Sequence, residues 1–338
     1  MPKAHLAAGG SDATLFPSTP TREFVTEITI ARLRDQLVRR GFAPAAGIPE
    51  GSGGRTEEAT ITPARLMEGE TVEHHDVGAP EGPGEPVAFL DGTQRTELLG
   101  YAGTSPLVVA RVAAAVRERR ERRMRTVLVE RRRFVVGARR ALDAAGEALA
   151  GSGLETVAVE DEEDLHPLRE LQRIGRAVDQ ARGNLEVRLG VAYRQRAERQ
   201  PHPWLVVDGA LTQSPSLAAD PRAVGIVKSH ATLPFAGADL ERYLRLPAGC
   251  RSSLFAPPAR SFAPVVSWAL RLWPWEGKDV FHGLVRVEVA PETATPEHAD
   301  RLSRWLLAER VPLSAPDPRW DRLLYGIHAV EQYLKASG

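Results

Sequence analysis

The sequence has almost no cysteine, no excess charge of either sign and no long apolar run. Its 338 residues contain one cysteine, Cys250, and 44 Lys and Arg balance 44 Asp and Glu. One cysteine excludes an intrachain disulfide and a multi-cysteine zinc site, so we expect a reducing, cytoplasmic location. The opening MPKAHLAAGGSDATLF lacks the apolar core of a signal peptide. No window reaches the ~18 apolar residues of a membrane-spanning helix.

The charges are unevenly distributed although they sum to zero. Residues 111–140 contain twelve Arg and three Glu, whereas residues 50–85 contain nine acids and two Arg. Such asymmetry is typical of a basic surface that binds a polyanion. Two oppositely charged segments that neutralise each other would give the same counts.

The region 1–84 predicts an N-terminal extension, ahead of one folded domain over 85–338. Apolar spacing near 3.6 residues predicts a helix at 23–40. Residues 43–86 are rich in Gly, Pro and acids and predict an irregular arm that is mobile or wraps over a partner. We expect this extension to serve in dimer or partner contact.

The region 85–338 predicts an α/β fold. Strand-like runs lie at 87–97, 106–116, 125–136, 155–160, 204–211, 225–230, 265–272 and 282–290, and helices at 137–150, about 165–200, 296–309 and 319–336. The run at 106–116 also fits a helix. Three successive strands favour an antiparallel meander, and the later strand–helix–strand units favour parallel additions. This order predicts a ribonuclease H-like mixed sheet flanked by helices. In such a sheet the first strand is central, beside the strand that follows the first helix.

Two of the apolar runs, VAFLDG and WLVVDG, end on Asp-Gly. Asp-Gly is a common hairpin turn, so both could be turns only. Runs without alternation are also typical of strands buried on both faces. In that case Asp91 and Asp208 would end two neighbouring buried strands, and the glycines would allow a phosphate to approach closely. Carboxylates held in this way can bind Mg²⁺ or Mn²⁺ for phosphoryl displacement.

These segments, taken in order, resemble the NurA family of DNA-end-processing nucleases over roughly residues 85–336. The similar segments are FLDGT (89–93), NLEVRLGVA (184–192), VVDGAL (206–211), GIVKS (225–229), VSWALRL (266–272), LVRVEV (284–289) and LLYGIHAVEQYLK (323–335). Thr93 stands where the family frequently has Ser. The resemblance implies a ribonuclease H-like, Mn²⁺-dependent nuclease (with Mg²⁺ as the alternative ion) that processes DNA ends in double-strand break repair. It further implies 5′-to-3′ exonuclease and single-strand endonuclease activity, a homodimer, and docking on a hexameric HerA-type translocase.

Asp91 and Asp208 are the first candidates for catalytic metal ligands. Glu186, on the long helix, is the candidate third carboxylate. Its spacing from Arg182 also suits an i,i+4 salt bridge, and Glu198 on the same helix is the alternative ligand. Each of these carboxylates supplies the hard oxygen donors that Mn²⁺ and Mg²⁺ prefer.

Two further residues are candidates for assisting the chemistry. Lys228 follows an apolar strand and could contact the scissile phosphate, or be an ordinary solvated lysine. His328 could bind a metal or move a proton to the leaving oxygen, or be a half-buried helix histidine. His230 is the rival histidine.

Five arginines predict a groove that follows a DNA backbone: Arg119, Arg122, Arg125, Arg131 and Arg133. Trp268, Trp273 and Trp275 could stack on bases, although core packing is the more common use of Trp. We expect His74, His75 and Asp76 to be solvated and Glu288 to be a surface or structural acid. Two alternatives to a DNA nuclease stay open: a non-catalytic adaptor of the same fold, and a related enzyme that acts on RNA or a hybrid.

Overall fold

A large mixed sheet with helices on both faces forms the body of the protein. The structure is a computed structural model and describes residues 22–44, 59–84, 86–120, 123–161, 166–196, 203–257, 263–311 and 324–336. Its helices are α1 (Arg22–Arg39), α2 (Arg139–Ala150), α3 (Pro167–Gln195), α4 (Pro215–Ala218), α5 (Gly237–Leu244), α6 (Pro296–Glu309) and α7 (Tyr325–Ala336). None of these described helices is both long enough and apolar enough to cross a bilayer.

Fifteen strands are described, most of them in this one sheet. They are β1 (Ala43–Pro44), β2 (Thr60–Ile61), β3 (Arg65–Leu66), β4 (His74–Asp76), β5 (Val87–Ala102), β6 (Ser105–Arg120), β7 (Arg123–Ala138), β8 (Glu155–Val159), β9 (Trp204–Asp208), β10 (Ala223–Val227), β11 (Thr232–Leu233), β12 (Cys250–Ser252), β13 (Phe255–Ala256), β14 (Val266–Arg271) and β15 (Leu284–Val289).

The strand order confirms the predicted α/β class, with β5 at the centre. Strands β5, β6 and β7 form an antiparallel meander, and β9 lies parallel to β5 on its other side. Strand β10 is parallel to β9, and β15 and β14 continue the sheet antiparallel. One detail of the prediction is wrong. The strand beside β5 follows the long helix α3, whereas the strand after α2 is β8, which pairs parallel with β7.

The two faces of the central strands are covered differently. On one face α3 covers an unbroken row of β6 side chains: Val108, Ala110, Val112, Ala114 and Val116. On the other face there are two separate apolar clusters. Leu107 and Val109 pack under α1 and α2, whereas Ala113 and Ala115 pack with α7. Because strand side chains alternate between faces, Arg111 lies between those two clusters.

The ambiguous run at 106–116 is a strand because it is sandwiched between helices. Its alanines are small enough for helices to approach both faces closely. The same close approach is seen at Gly190 of α3, where a Cβ would lie 3.0 Å from the Leu90 side chain. Non-local packing therefore overrides the helical propensity of alanine here.

The described part of the N-terminal region is joined to the sheet. Helix α1 packs on α2 and β5, and β1 pairs with β5. Strands β3 and β4 pair with β13 and β12, and β2 pairs with β11 in a separate two-stranded sheet. The expectation of an irregular arm is therefore wrong over these short strands, which are only two or three residues long and leave no periodic pattern in the sequence.

Candidate active site

Asp91 and Asp208 lie side by side on neighbouring parallel strands. The pairing of β5 with β9 ends at Leu90 and Val207, so the two aspartates are the next residues along each strand. Strand β9 ends at Asp208, and Gly209 follows with a φ of 136° that favours glycine. Asp91, in contrast, is the fifth residue of a 16-residue strand. It ends neither a strand nor a hairpin, because β5 continues after β9 has ended.

The Glu186 side chain lies against Gly92, the residue that follows Asp91 on β5 and that has no side chain. A Cβ added to Gly92 would lie 2.2 Å from Glu186 Oε1 and 2.9 Å from its Cδ and Cγ. Real Cβ atoms do not approach so closely, and a flexible glutamate would have to move away. Gly92 therefore clears the space that the Glu186 side chain fills.

The electrostatics of Asp91 bring four of the predicted residues together. Asp91 is 6% exposed, and this burial raises the pKa of its carboxyl well above the ordinary value. The Asp208 carboxylate raises that pKa further, the Lys228 ammonium lowers it, and Glu186 raises it again. The backbone N–H of Gly92, 2.7 Å from Asp91 Oδ1, also lowers that pKa. Three carboxylates and one ammonium therefore share one site.

Each of the other two carboxylates is paired with a cation. Lys228 Nζ donates to Asp208 Oδ2 at 2.6 Å, and Arg182 Nη1 donates to Glu186 Oε1 at 2.5 Å. The latter is the i,i+4 salt bridge that the sequence spacing allowed. Arg182 is itself held by Gln94, whose side-chain oxygen accepts from Arg182 Nε at 3.1 Å.

The donor set fits a hard divalent cation in its chemistry. Within the described ranges, no three His, Cys, Asp or Glu side chains are already arranged around a common metal position. Asp208 and Glu186 each turn an oxygen toward a cation of the chain. Asp91, Asp208 and Glu186 supply oxygen ligands only, which suits Mn²⁺ or Mg²⁺ rather than a softer metal.

The site role predicted for His328 stays a prediction, and its described contact lies on its own helix. The face of α7 toward the sheet carries Gly326, whose Cβ would lie 2.2 Å from the Phe89 ring. At 100° per residue, His328 is roughly 200° round the helix from Gly326. Its Nδ1 lies 3.9 Å from Glu331 Oε2 on the same helix. The rival His230 is engaged elsewhere: its Nε2 lies 3.0 Å from the Leu284 carbonyl.

The five predicted DNA-binding arginines are divided between the two faces of the sheet. Arg131 and Arg133 pair in register with Ala113 and Arg111, on the face of α7. Arg125 pairs with Glu118, which accepts a hydrogen bond from Tyr193 of α3 on the opposite face.

Arg119 is largely used within the fold. It donates to both oxygens of Glu309 and lies over the Phe89 ring, 5.5 Å from the centroid. Arg122 lies outside the described residues, as does Glu198, the alternative third carboxylate.

The tryptophans serve the fold to different degrees. Trp268 is fully buried and donates to Ser303 at 2.9 Å, so it is a core residue. Arg310 lies over the Trp273 ring, 4.7 Å from its centroid.

The histidine–aspartate segment forms β4, which pairs with β12. His74 and Asp76 are exposed, as expected, and His75 is half-buried. His74 Nε2 lies 2.7 Å from the Arg242 carbonyl, and His75 Nε2 lies 3.6 Å from Glu68.

Glu288 was expected to be either a surface acid or a structural acid, and it is a structural one. The sequence did not indicate how much of the fold depends on it. It is fully buried and accepts from the Leu211 N–H at 2.9 Å and from Arg286 at 2.9 Å. It thereby fixes the chain that leaves Asp208. Its place in an alternating strand indicated only which side of the sheet it faces.

Comparison with known proteins gives likeness in structure only. No family model matches the sequence, and no curated protein matches it. The NurA nuclease from Sulfolobus solfataricus is similar with a TM-score of 0.46 and 9% identity, over 78% of this chain and 82% of that one. The catalytic domain of human Endonuclease V is similar with a TM-score of 0.34 and 16% identity, over 94% and 98%. Because these values are low, the interpretation of the site rests on its own residues.

Proposed function

We propose that this chain is a divalent-metal-dependent phosphodiesterase that cuts DNA. The observation that supports this proposal best is the grouping of Asp91, Glu186 and Asp208 beside Lys228. Burying a carboxylate and holding like charges close together are both costly, and the raised pKa of Asp91 records that cost. Sites that keep such costly groups are candidates for function. A site that gathers acids on rigid strands, with glycine clearing the space, is suited to hold cations against a phosphate.

In this proposal Asp91, Asp208 and Glu186 hold the metal. When bound, Mn²⁺ or Mg²⁺ would supply positive charge to the scissile phosphate and help to activate water. Lys228, released from Asp208, would donate to a phosphate oxygen and stabilise its developing charge. Arg182 would hold Glu186 in place through the salt bridge that already positions it.

The finer properties that we propose come from the resemblance of the sequence to NurA nucleases. They are processing of DNA ends in double-strand break repair, 5′-to-3′ exonuclease activity, single-strand endonuclease activity, a homodimer, and docking on a hexameric HerA-type translocase. Oligonucleotides labelled at either end would reveal the polarity, and RNA and hybrid substrates would test the choice of DNA. Light scattering of the purified chain would show whether it is a dimer.

The decisive experiment is cleavage of end-labelled DNA by the wild type and by Asp91→Asn, with Mn²⁺, with Mg²⁺ and with EDTA. A metal contributes several kcal/mol to the transition state, and about 1.4 kcal/mol is tenfold in rate. The variant should therefore be slower by roughly 10²- to 10³-fold. Asp143→Asn, on an exposed position of α2, is the matched control and should cut as fast as the wild type. Equal rates for the wild type and Asp91→Asn would refute the mechanism.

The second candidate function is a non-catalytic adaptor that dimerises and docks on a translocase or DNA. The ion pairs of Asp208 with Lys228 and of Glu186 with Arg182 favour it, because a centre neutralised by its own cations needs no metal to be stable. Calorimetry with Mn²⁺ distinguishes the two: the nuclease binds the ion through Asp91, and the adaptor does not.

A further inference from the structure

The amide of Gln94 connects the candidate active site to the middle of α3. It lies on β5 two residues after Gly92, on the face of the sheet that α3 covers. Its Nε2 donates to Asp179 Oδ1 at 2.6 Å, and its Oε1 accepts from Arg182 Nε at 3.1 Å. Arg182 Nη1 in turn donates to Glu186 Oε1 at 2.5 Å. Gln94, Asp179, Arg182 and Glu186 therefore form one hydrogen-bonded set, the Gln94 network, which ends at a candidate metal ligand.

The chemistry of the Gln94 network suits an amide at position 94. A glutamine side chain has an oxygen that only accepts hydrogen bonds and an NH2 group that only donates them. Here the oxygen meets the guanidinium of Arg182 and the NH2 group meets the carboxylate of Asp179. A reversed amide would lose both bonds, so these two neighbours fix its orientation. An amide is therefore a neutral group well suited to join one cation to one anion.

The members of the Gln94 network on α3 share one side of that helix. Asp179, Arg182 and Glu186 are three and four residues apart, and side chains with this spacing are neighbours on a helix surface. Gly92 leaves room for the Glu186 side chain but has no side chain that could hold it. The Glu186 carboxylate is oriented by the hydrogen bond from Arg182, and the guanidinium of Arg182 is in turn held by Gln94.

The fold does not depend on the Gln94 network. Helix α3 is attached to the sheet by buried apolar side chains, among them Val178, Leu185 and Leu189. Gln94 is exposed, and a hydrogen bond at the surface adds little stability because water can take its place. A ligand of a metal site, in contrast, needs its side chain held in one direction.

We propose that Gln94 is a positioning residue for the metal site and acts on Glu186 through Arg182. The proposal rests on the proposed function, in which Glu186 holds the cation, and it adds the contact that sets the direction of that carboxylate. Without Gln94, the described contacts of Arg182 would be reduced to its bond with Glu186, and the two groups could turn together. Removing a group that orients a metal ligand typically weakens metal binding by about 10- to 100-fold. Because Gln94 acts through an intervening residue, we expect the lower end of that range, roughly 10-fold.

Calorimetric titration of the full chain with Mn²⁺ alone tests Gln94 without requiring catalysis. Gln94→Met keeps the length of the side chain and removes both hydrogen bonds, so its Kd for Mn²⁺ should be roughly 10-fold higher than that of the wild type. Its Tm should change little. Gln180→Met is the matched control, because Gln180 is an exposed amide of α3 that donates to Asn184 at 2.8 Å. That bond does not lead to Glu186, so the Kd of the control should equal the wild-type value.

An exchange of the amide and the carboxylate tests whether the hydrogen bonds themselves are what matters. Gln94→Glu/Asp179→Asn keeps the net charge of the network. The carboxylate at position 94 would still accept from Arg182, and the amide at position 179 would donate to it. The Kd for Mn²⁺ should therefore return to within about threefold of the wild-type value, in contrast to the roughly 10-fold loss in Gln94→Met.

The possible results separate the role of Gln94 from the proposed function. An unchanged Kd in Gln94→Met, an equal loss in Gln180→Met, a fall in Tm that accompanies the weaker binding, or no recovery in the exchange variant would each overturn the role of Gln94 and leave the metal site standing. If the wild type binds no Mn²⁺, or if Asp91→Asn binds the ion as tightly as the wild type, the metal site itself is refuted. The role of Gln94 is then refuted with it.

Discussion

Replacing Asp91 by Asn should stabilise the protein at neutral pH while removing its activity. Burial and the neighbouring carboxylates of Asp208 and Glu186 raise the pKa of Asp91 well above its ordinary value. A carboxyl whose pKa is raised by folding stabilises the folded state fully below its unfolded pKa, near 4. That contribution is lost as the pH rises through the raised value. Toward neutral pH the ionised carboxylate therefore opposes folding increasingly, and an amide of the same shape does not.

The size of the effect follows from the linkage between pKa and stability. Each tenfold decrease that folding causes in the acid dissociation constant of the Asp91 carboxyl raises its pKa by one. Each such decrease lowers the free energy of unfolding at pH 7 by about 1.4 kcal/mol. For chains of 150–250 residues, 1 kcal/mol changes the Tm by roughly 2 to 4 °C, and a longer chain is at the low end. For every tenfold decrease in that dissociation constant, the Tm of Asp91→Asn at pH 7 should exceed the Tm of the wild type by about 3 °C. Near pH 4 the two curves should converge.

Thermal melts from pH 4 to pH 8 measure this difference, with Asp143→Asn as the exposed control. Saturating Mn²⁺ adds a second comparison, because a ligand at 100 times its Kd stabilises by about 2.7 kcal/mol. That gain should appear in the wild type and be absent from Asp91→Asn. A variant that is no more stable than the wild type at pH 7, or a difference that is the same at pH 4, would refute the electrostatic reasoning.

Three further substitutions test the packing around the site. Gly92→Ala places a Cβ 2.2 Å from Glu186 Oε1, so it should displace that carboxylate and lower cleavage at least tenfold with little change in Tm; normal activity would show that Glu186 is not needed. Gly326→Ala places a Cβ within 2.4 Å of the Phe89 ring, and overpacking of this kind should cost about 1–3 kcal/mol in denaturant unfolding. Glu288→Ala removes a fully buried carboxylate and leaves its donors without an acceptor, so a loss of about 3–5 kcal/mol is expected, and a loss under about 1 kcal/mol would contradict its structural role.

Much of the fold was predictable because the largest elements carry the strongest patterns. The long helix α3 buries Leu171, Ile174 and Val178 at three- and four-residue steps, and the run from Val87 is buried on both faces. The ends of elements were less certain: β5 extends to Ala102 because β6 and its turn continue to pair with it. Helix α5, only eight residues long, was not predicted.

The candidate site was predicted only in part, because a sequence pattern indicates local structure and not contacts between residues that are far apart in the chain. Asp91 and Asp208 follow similar local runs, so each could be found separately. The contact between Gly92 and Glu186 joins residues far apart in the chain, and only the packing of α3 on β5 shows it. The same holds for Arg95 and Arg111, which become neighbours only when the register of β5 with β6 is known.

The role predicted for His328 stays a prediction, because its local pattern does not say what the helix meets. Leu324, one helical turn before it, is buried in the same core cluster as Ile327, and His328 is half-buried. A helical periodicity indicates which residues share a face and does not indicate what that face meets.

The unequal covering of the two faces has a consequence for how this protein can change by mutation. Along β6, the side chains under α3 form one continuous seam, so almost any polar replacement there should be rejected by selection. On the other face, the same strand offers Arg111 as an interruption between two packed clusters, where size, charge and shape are less constrained. Sequence variation along β6 should therefore alternate between restriction and tolerance and peak at that one position. Adaptation of the protein to a new ligand could begin there without loss of the fold.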